Sequence, residues 1–344
     1  MRDICFQESI KLVWSDKEFE HVDNNTSLVS LCIPTYNSAE YLRHCLDSIA
    51  SQTYKNVEVI ISDNASMDTT VDIIREYTDR YDFKLFRNAV NIGAGPNFNK
   101  LISLAKGEYV AIYHADDFYE NTIVEESVRI LNSDDTIGLV STMGNIVSEE
   151  GAPFYTFRLP KHLKKMNKTI YTFDEVLSGI LKRGWVFVTP SIMVRKKVYD
   201  ELGVFELQGY GSAVDYAMWF KIANKYKVAI IDEKLINYRV HKAQGTEREV
   251  RKNPEVPDIV LVLRKYKELT TNKHLKRQCE DFINAMIIKA ARRQNYYGLY
   301  SKSNETLKTM RSGSVILLLQ KYVFRLFNVL KISIRRRSLS TDAE

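Results

Sequence analysis

The chain reads as an α/β protein: a mostly parallel sheet flanked by helices, followed by a helical C-terminal extension. Two observations predict this. From Leu28 to about Leu131, apolar runs of strand length alternate with segments of helical apolar spacing, the pattern of βαβ units and a parallel sheet. Beyond about Ile259 only helical spacing remains. At 344 residues, 45% hydrophobic and 27% charged, the chain is long enough to bury a full core.

The elements follow in order. Leu28 to Ile33 is a first strand, stopped by Pro34. Ser38 caps a helix carrying Tyr41, Leu42, Cys45, Leu46 and Ile49 on one face. Val57 to Ser62 is a second strand, ending in the turn cluster Asp63-Asn64-Ala65-Ser66. Thr69 to Tyr81 is a helix with Val71, Ile74 and Tyr77 inward, and Phe83 to Phe86 is a short third strand. A loop rich in Asn and Gly, Asn88 to Gly95, leads to a helix over Asn97 to Ala105. The apolar run from Tyr109 reads as a buried strand that ends in Asp116-Asp117, with a helix from about Asn121 to Leu131 behind it.

Ile137 to Val147 is a further strand, and Ser148 to Thr169 reads as an irregular, basic, mobile loop. Tyr171 to Leu181 is helical. Val186 to Val194 is strand-like but interrupted by Pro190, which suits an edge or a bulge. Ser212 to Tyr226 is a helix entered from a Gly-Tyr-Gly turn, and Val228 to Ile231 and Leu235 to Val240 are short strands. Gln244 to Pro257 is polar with two prolines and reads as a boundary. Helices over Ile259 to Leu269, Leu275 to Asn295 and Ser314 to Arg337 complete the chain.

Three strand ends carry residues a core does not want: Thr35-Tyr36-Asn37, Asp63-Asn64, and His114 to Asp117. In a doubly wound sheet such ends lie side by side, where ligands bind. The adjacent carboxylates Asp116 and Asp117 suit a hard cation accompanied by a phosphate; the alternative is an acidic first turn of a helix. No Walker A motif is present and no GxGxxG follows the first strand, which excludes a P-loop NTPase and a Rossmann dehydrogenase.

Val29-Ser-Leu-Cys-Ile-Pro-Thr-Tyr-Asn37, Ile61-Ser-Asp-Asn-Ala-Ser-Met-Asp68, Asn91-Ile-Gly93, and Ala105-Lys-Gly-Glu-Tyr109 leading into Asp116-Asp117 together resemble the family 2 glycosyltransferases of the GT-A fold. The likeness spans about Leu28 to His241. It implies inverting transfer of a sugar from a nucleotide diphosphate sugar, with Mg²⁺ or Mn²⁺ as cofactor. It implies that Pro34, Thr35, Tyr36, Asp63, Asn91, Gly93 and Asp116 bind the nucleotide, Asp63 through the base. Asp116, Asp117 and His241, the last in Asn237-Tyr-Arg-Val-His241, would hold the metal. Asp215 in Gly211-Ser-Ala-Val-Asp215 would be the general base, unless it is only a first-turn helix acid. The family's first acidic position is here His114, and Val214 stands where a Glu is usual. Arg239 would meet phosphate; Trp185 and Trp219 would stack on sugar or belong to the core.

The C-terminus suggests a further partner. Net charge is +6, and Lys321, Arg325, Lys331, Arg335, Arg336 and Arg337 lie between Ser314 and Arg337 with no acid. Lys321, Arg325, Asn328 and Arg335 recur along one polar stripe of an otherwise apolar helix, a pattern that fits an anionic membrane surface; the alternative is a packed helix with a basic tail. A lipid-linked or oligosaccharide acceptor would suit that placement. No stretch reads as a transmembrane helix or a signal peptide, and the sparse cysteines Cys5, Cys32, Cys45 and Cys279 fit a reduced, cytoplasmic protein held peripherally at the inner membrane face. The basic charge is terminal and lacks an aromatic groove, so no nucleic acid is expected. The expected division is an N-terminal extension over 1–27, a catalytic domain over 28–245 and a helical region over 256–344. A second reading is a non-catalytic nucleotide-sugar or glycan-binding protein of the same fold.

Overall fold

A computed structural model of the chain describes residues 27–242, 244, 254–311 and 313–333. Strands β1 (Val29–Thr35), β2 (Val57–Asp63), β3 (Phe83–Arg87) and β4 (Tyr109–Ile112) alternate with helices α1 (Ala39–Ala50), α2 (Thr70–Thr78) and α3 (Ala94–Leu104). There follow β5 (Phe118–Tyr119), α4 (Ile123–Ser133), β6 (Ile137–Val147), β7 (Pro153–Thr156), α5 (Lys161–Lys164), β8 (Ile170–Tyr171) and α6 (Phe173–Arg183). Next come β9 (Met193–Arg195), α7 (Lys196–Leu202), α8 (Val214–Lys225) and β10 (Lys227–Arg239). The C-terminal helices are α9 (Ile259–Tyr266), α10 (Lys273–Tyr296), α11 (Tyr300–Lys308) and α12 (Val315–Val329).

The strands form one ten-stranded sheet in the order β3-β2-β1-β4-β9-β6-β10-β5, with β7 beside β6 and β8 beside β10. β3, β2, β1 and β4 are mutually parallel, as the alternation predicts. Helix α1 buries Tyr41, Leu42, Cys45, Leu46 and Ile49, the face its spacing specifies. Each such aliphatic side chain contributes roughly 1.5–3 kcal/mol when removed from water. Buried residues of α9 and α10 join the same apolar cluster as the sheet, so the helical region has no separate core.

Several expectations need correction. Pro34 does not stop β1, which pairs with β2 as far as Thr35 and Asp63. The missing Pro34 N–H falls on the β4 side, where the β1–β4 pairing has already ended at Cys32 and Ile112. Pro190 marks no edge: it sits in the 3₁₀ turn Thr189–Ser191, and β9 lies inside the sheet, antiparallel to β4 and β6. The stretch 148–169 is not simply irregular, since β7 pairs with β6 and α5 adds one turn. The two strands expected after Val228 are one, β10, whose register against β6 shifts between Ile231 and Lys234. Helices α7 and α11 were not foreseen, because each is short and lacks a long apolar stripe.

Gly107 explains its own place in the Ala105-Lys-Gly-Glu-Tyr109 stretch. A Cβ there would lie 2.5 Å from the Ser30 backbone N. The close approach lets the Gly107 N–H donate to Ser30 Oγ at 2.8 Å, while Ser30 Oγ donates to Glu58 at 2.6 Å. Glu58 also accepts from the Lys106 N–H at 2.7 Å. This buried knot fixes the entry to β4, and so the position of the loop at its far end.

Candidate active site

The loop between β4 and β5 carries His114, Asp116 and Asp117. One donor atom from each lies within 4.8 Å of the others. Asp117 is buried; its Oδ1 accepts from the Arg239 N–H at 2.8 Å, and its Oδ2 has no partner. His114 Nε2 is likewise buried and unpartnered. Asp116 Oδ2 meets His241 Nε2 at 3.1 Å.

The electrostatics follow from this crowding. Burial, then the neighbouring Asp116, push the Asp117 carboxyl well above its usual range. Burial also works on Asp116, but the His241 hydrogen bond and His114 together hold it below its ordinary value. Burial lowers His114, which favours the neutral imidazole that binds metals. Two carboxylates and a neutral imidazole, with two orphaned donor atoms among them, fit a divalent cation. His114 stands where the family's acid is missing, with its Nε2 buried and unpartnered. His241 is one step removed in this arrangement, held against Asp116 and packed on the Tyr41 ring with centroids 4.7 Å apart.

Asp215 lies in the first turn of α8. Its Oδ2 accepts from Thr189 Oγ1 at 2.8 Å and its Oδ1 from the Tyr216 N–H at 2.7 Å. Burial raises its carboxyl above the usual value, and the opposing pull of Thr189, Tyr216 and His114 does not cancel that. The charges of Asp116 and Asp215 both act on His114 against its burial. One pocket is lined by His114 of the acidic loop and by Thr189, the donor to Asp215.

On the other side of β1, Thr35 and Asp63 stand at paired strand ends. Asp63 is fully buried. It accepts from Thr35 Oγ1 at 3.4 Å and the Ser66 N–H at 3.1 Å, and pairs with Arg87 at 3.3 Å. Among the described contacts it makes none with the acidic loop. Tyr36 is exposed at the lip. Asn91 Oδ1 accepts from Asn64 Nδ2 at 2.7 Å and from the Gly93 N–H at 2.8 Å. Gly93 has a φ of +87°, which only glycine adopts freely.

Sequence reasoning passed over the asparagines that secure this loop. Asn88 Nδ2 donates to Asn64 Oδ1 at 3.0 Å and to Asn97 Oδ1 at 3.1 Å, and Asn97 Nδ2 donates to the Ser62 carbonyl at 3.0 Å. Their density in one short loop was the available signal. Thr189 was also missed, because nothing in a single chain marks a threonine 26 positions from its partner. Arg239 is not disposed toward phosphate. It is buried, donates to the Asp116 carbonyl at 2.9 Å, contacts His44 at 3.1 Å, and lies over the Tyr41 and Phe118 rings. Trp219 is core, donating to Thr189 Oγ1 at 3.3 Å, and Trp185 packs edge-on against Phe157.

A mixed sheet flanked by helices, with an acidic loop where β4 ends, has the GT-A architecture. The model of glycosyl transferase family 2 matches residues 30–203, and the chain belongs to that family. An uncharacterized glycosyltransferase of Rickettsia typhi is 32% identical over 220 residues, covering 64% of this chain and 66% of its own length. The abequosyltransferase of Salmonella typhimurium is 34% identical over 191 residues, 51% of this chain and 55% of the relative. A mannosyltransferase of Pyrobaculum calidifontis, solved with GDP-Man and Mn²⁺, has the same fold: TM-score 0.56 at 18% identity, over 88% of this chain and 83% of that one. The protein is a glycosyltransferase.

Proposed function

We propose that the protein transfers a hexosyl or deoxyhexosyl group, with inversion, from a nucleotide diphosphate sugar to a hydroxyl of a lipid-linked glycan, in bacterial surface polysaccharide synthesis. The observation that supports this is a single pocket lined by His114, which sits with the Asp116–Asp117 pair, and by Thr189, which donates to Asp215. Inversion needs a base on the face of the sugar opposite the leaving group. The acceptor oxygen attacks C1, its proton passes to Asp215, and the bond from C1 to the phosphate oxygen breaks with its electron pair on the nucleoside diphosphate. Asp215 is buried with a raised carboxyl, which suits a base that must take a proton.

His114, Asp116 and Asp117 would hold Mn²⁺ or Mg²⁺, with His241 orienting Asp116. A bound cation supplies charge stabilisation to the departing diphosphate. The imidazole among the donors favours Mn²⁺ over Mg²⁺. Pro34, Thr35, Tyr36, Asn91 and Gly93 would border the nucleoside. Asp63 would support that wall, and would meet the base if Arg87 gives way. The domain division proposed from the sequence goes with this reading: 28–245 for catalysis and 256–344 for the acceptor side. Thermal shift with a panel of nucleotide sugars and Mn²⁺ tests the donor site; a panel with no stabilising member removes it.

We place the enzyme peripherally on the cytoplasmic, anionic face of the membrane through 314–337. No helix among the described residues is long and apolar enough to cross a membrane. The orientation of α12 supports contact, though not as the sequence pattern suggested. Asn328 is turned inward and 3% exposed, bonding Asn295 at 2.8 Å and Ser303 at 2.8 Å. Val315, Leu319, Tyr322, Leu326 and Val329 face outward, Val329 at 71% exposure. Asn328 thus anchors the helix from within the expected polar stripe, while Arg325 stays exposed, and the outward apolar side chains can enter a lipid interface. Arg335, Arg336 and Arg337 lie outside the described residues. Flotation with anionic vesicles is expected to carry the protein, and Leu319→Glu with Leu326→Glu to abolish it; unchanged flotation of that variant refutes the placement.

A further inference from the structure

The pocket between the acidic loop and Asp215 has a lining that bears on the sugar. His114 and Thr189 line it, and Phe98, Ile112, Ile192 and Phe205 wall it. Ile112, Ile192 and Phe205 are buried, and Phe98 and Phe205 meet edge to face with centroids 5.9 Å apart. Trp219 and Tyr199 close the remainder. The polar atoms around it are mostly committed. Thr189 Oγ1 donates to Asp215 and accepts from Trp219 Nε1. The Tyr199 phenol is buried beside Cys32, and both effects push its pKa far up. His114 Nε2 is free within the protein, and the cation proposed above would take it.

This inference rests on the donor reading. The transferred ring must lie between the diphosphate, on the His114 side, and the base, on the Thr189 side, so its edge faces this hollow. We propose that the donor sugar is a 6-deoxyhexose whose C5 methyl group lodges among Phe98, Ile112, Ile192 and Phe205. An exocyclic methyl is an apolar group that projects from a pyranose far enough to fill such a hollow. A hydroxymethyl in its place would bury an O–H against four side chains that offer it no acceptor, the only polar groups of the lining being those of Thr189, Tyr199, His114 and Trp219. An aromatic and aliphatic wall disfavours an added hydroxyl by about 10- to 100-fold.

The test uses the full chain with Mn²⁺ and matched donor pairs that differ only at C6. Suitable pairs are GDP-mannose against GDP-rhamnose, dTDP-glucose against dTDP-6-deoxyglucose, and UDP-N-acetylglucosamine against its 6-deoxy form. Release of nucleoside diphosphate gives kcat/KM for each. In any pair that is turned over, the 6-deoxy member is expected to lead by at least about tenfold. Equal rates, or a lead for the hexose, overturn the inference and leave the transferase reading standing. Ile192→Thr puts a hydroxyl into the wall and removes one methyl group, with Ile192→Val as the control that removes the methyl alone; Ile192→Thr is expected to shrink the preference severalfold relative to Ile192→Val. An unchanged preference in the folded variant shows that this wall does not face C6, and overturns the placement. Failure of every pair to bind or react overturns the donor reading itself.

Discussion

Asp215→Asn isolates proton transfer from nearly everything else Asp215 does. The carboxylate accepts two hydrogen bonds, from Thr189 at 2.8 Å and the Tyr216 N–H at 2.7 Å. Asparagine keeps an oxygen for Tyr216 and presents its NH₂ to Thr189. The Thr189 hydroxyl then turns from donor to acceptor, with a lone pair to spare beside Trp219 Nε1. That exchange costs about 1 kcal/mol, and it is offset in part by removing a buried acid. The melting temperature is therefore expected to fall by no more than a few degrees. Catalysis is expected to suffer far more. Loss of a positioned base costs typically 10²- to 10⁴-fold, or about 3–5 kcal/mol of barrier. The assay follows nucleoside diphosphate release with an acceptor pool, beside thermal shift by the nucleoside diphosphate and Mn²⁺. Stabilisation by nucleotide should persist while turnover falls at least a hundredfold. Turnover within about threefold of the parent refutes Asp215 as the base, whatever its geometry suggests.

Chelation by EDTA is expected to stop turnover and Mn²⁺ to restore it; full activity in EDTA removes the cation from the reaction. Gly107→Ala forces a Cβ to within 2.5 Å of the Ser30 N, so the variant should lose several kcal/mol or fail to accumulate; a melting temperature equal to the parent's shows that the β1–β4 corner can relax. Asn328→Leu removes one of the hydrogen bonds of Asn295 and one of Ser303, each 2.8 Å, and is expected to cost roughly 1–3 kcal/mol by denaturant unfolding; no loss would mean the network does not hold α12. Burial raises the Glu58 carboxyl, but Ser30, the Lys106 N–H and Lys84 outweigh it and hold the group below its ordinary 4.5. With the folded value depressed, this stabilisation is present above pH 4.5 and fades as pH falls through the folded value. The melting gap between Glu58→Gln and the parent should therefore be wide at pH 7 and narrow at pH 3; a gap independent of pH refutes the ionised pairing.

Much of the fold was legible because periodicity reports burial directly. The inward faces of α1 and α2 follow from spacing alone, and so does the parallel set from β1 to β4. Legibility failed where partners are remote in sequence. β9 is three residues long and acquires its place only by pairing with β4 and β6 on its two sides. Arg239 looked like an anion-binding residue, yet its guanidinium is consumed by groups more than 90 positions away, such as the Asp116 carbonyl and His44. Of the candidate site, the acidic pair and Asp215 could be named from motifs. His114 could be seen only as a departure from the pattern, because its worth lies in an unpartnered Nε2.

The chain's own order determined that it would be an alternating α/β protein with carboxylates at strand ends, since local spacing and turn residues need no partner to act. Tertiary structure decided which of those groups share a space. It set both His114 and His241 beside the acidic pair, gave Asp215 its threonine, and turned the apolar side of α12 outward. The physical reason is that burial, hydrogen bonding and charge coupling act over ångströms in space, and folding alone brings remote positions that close.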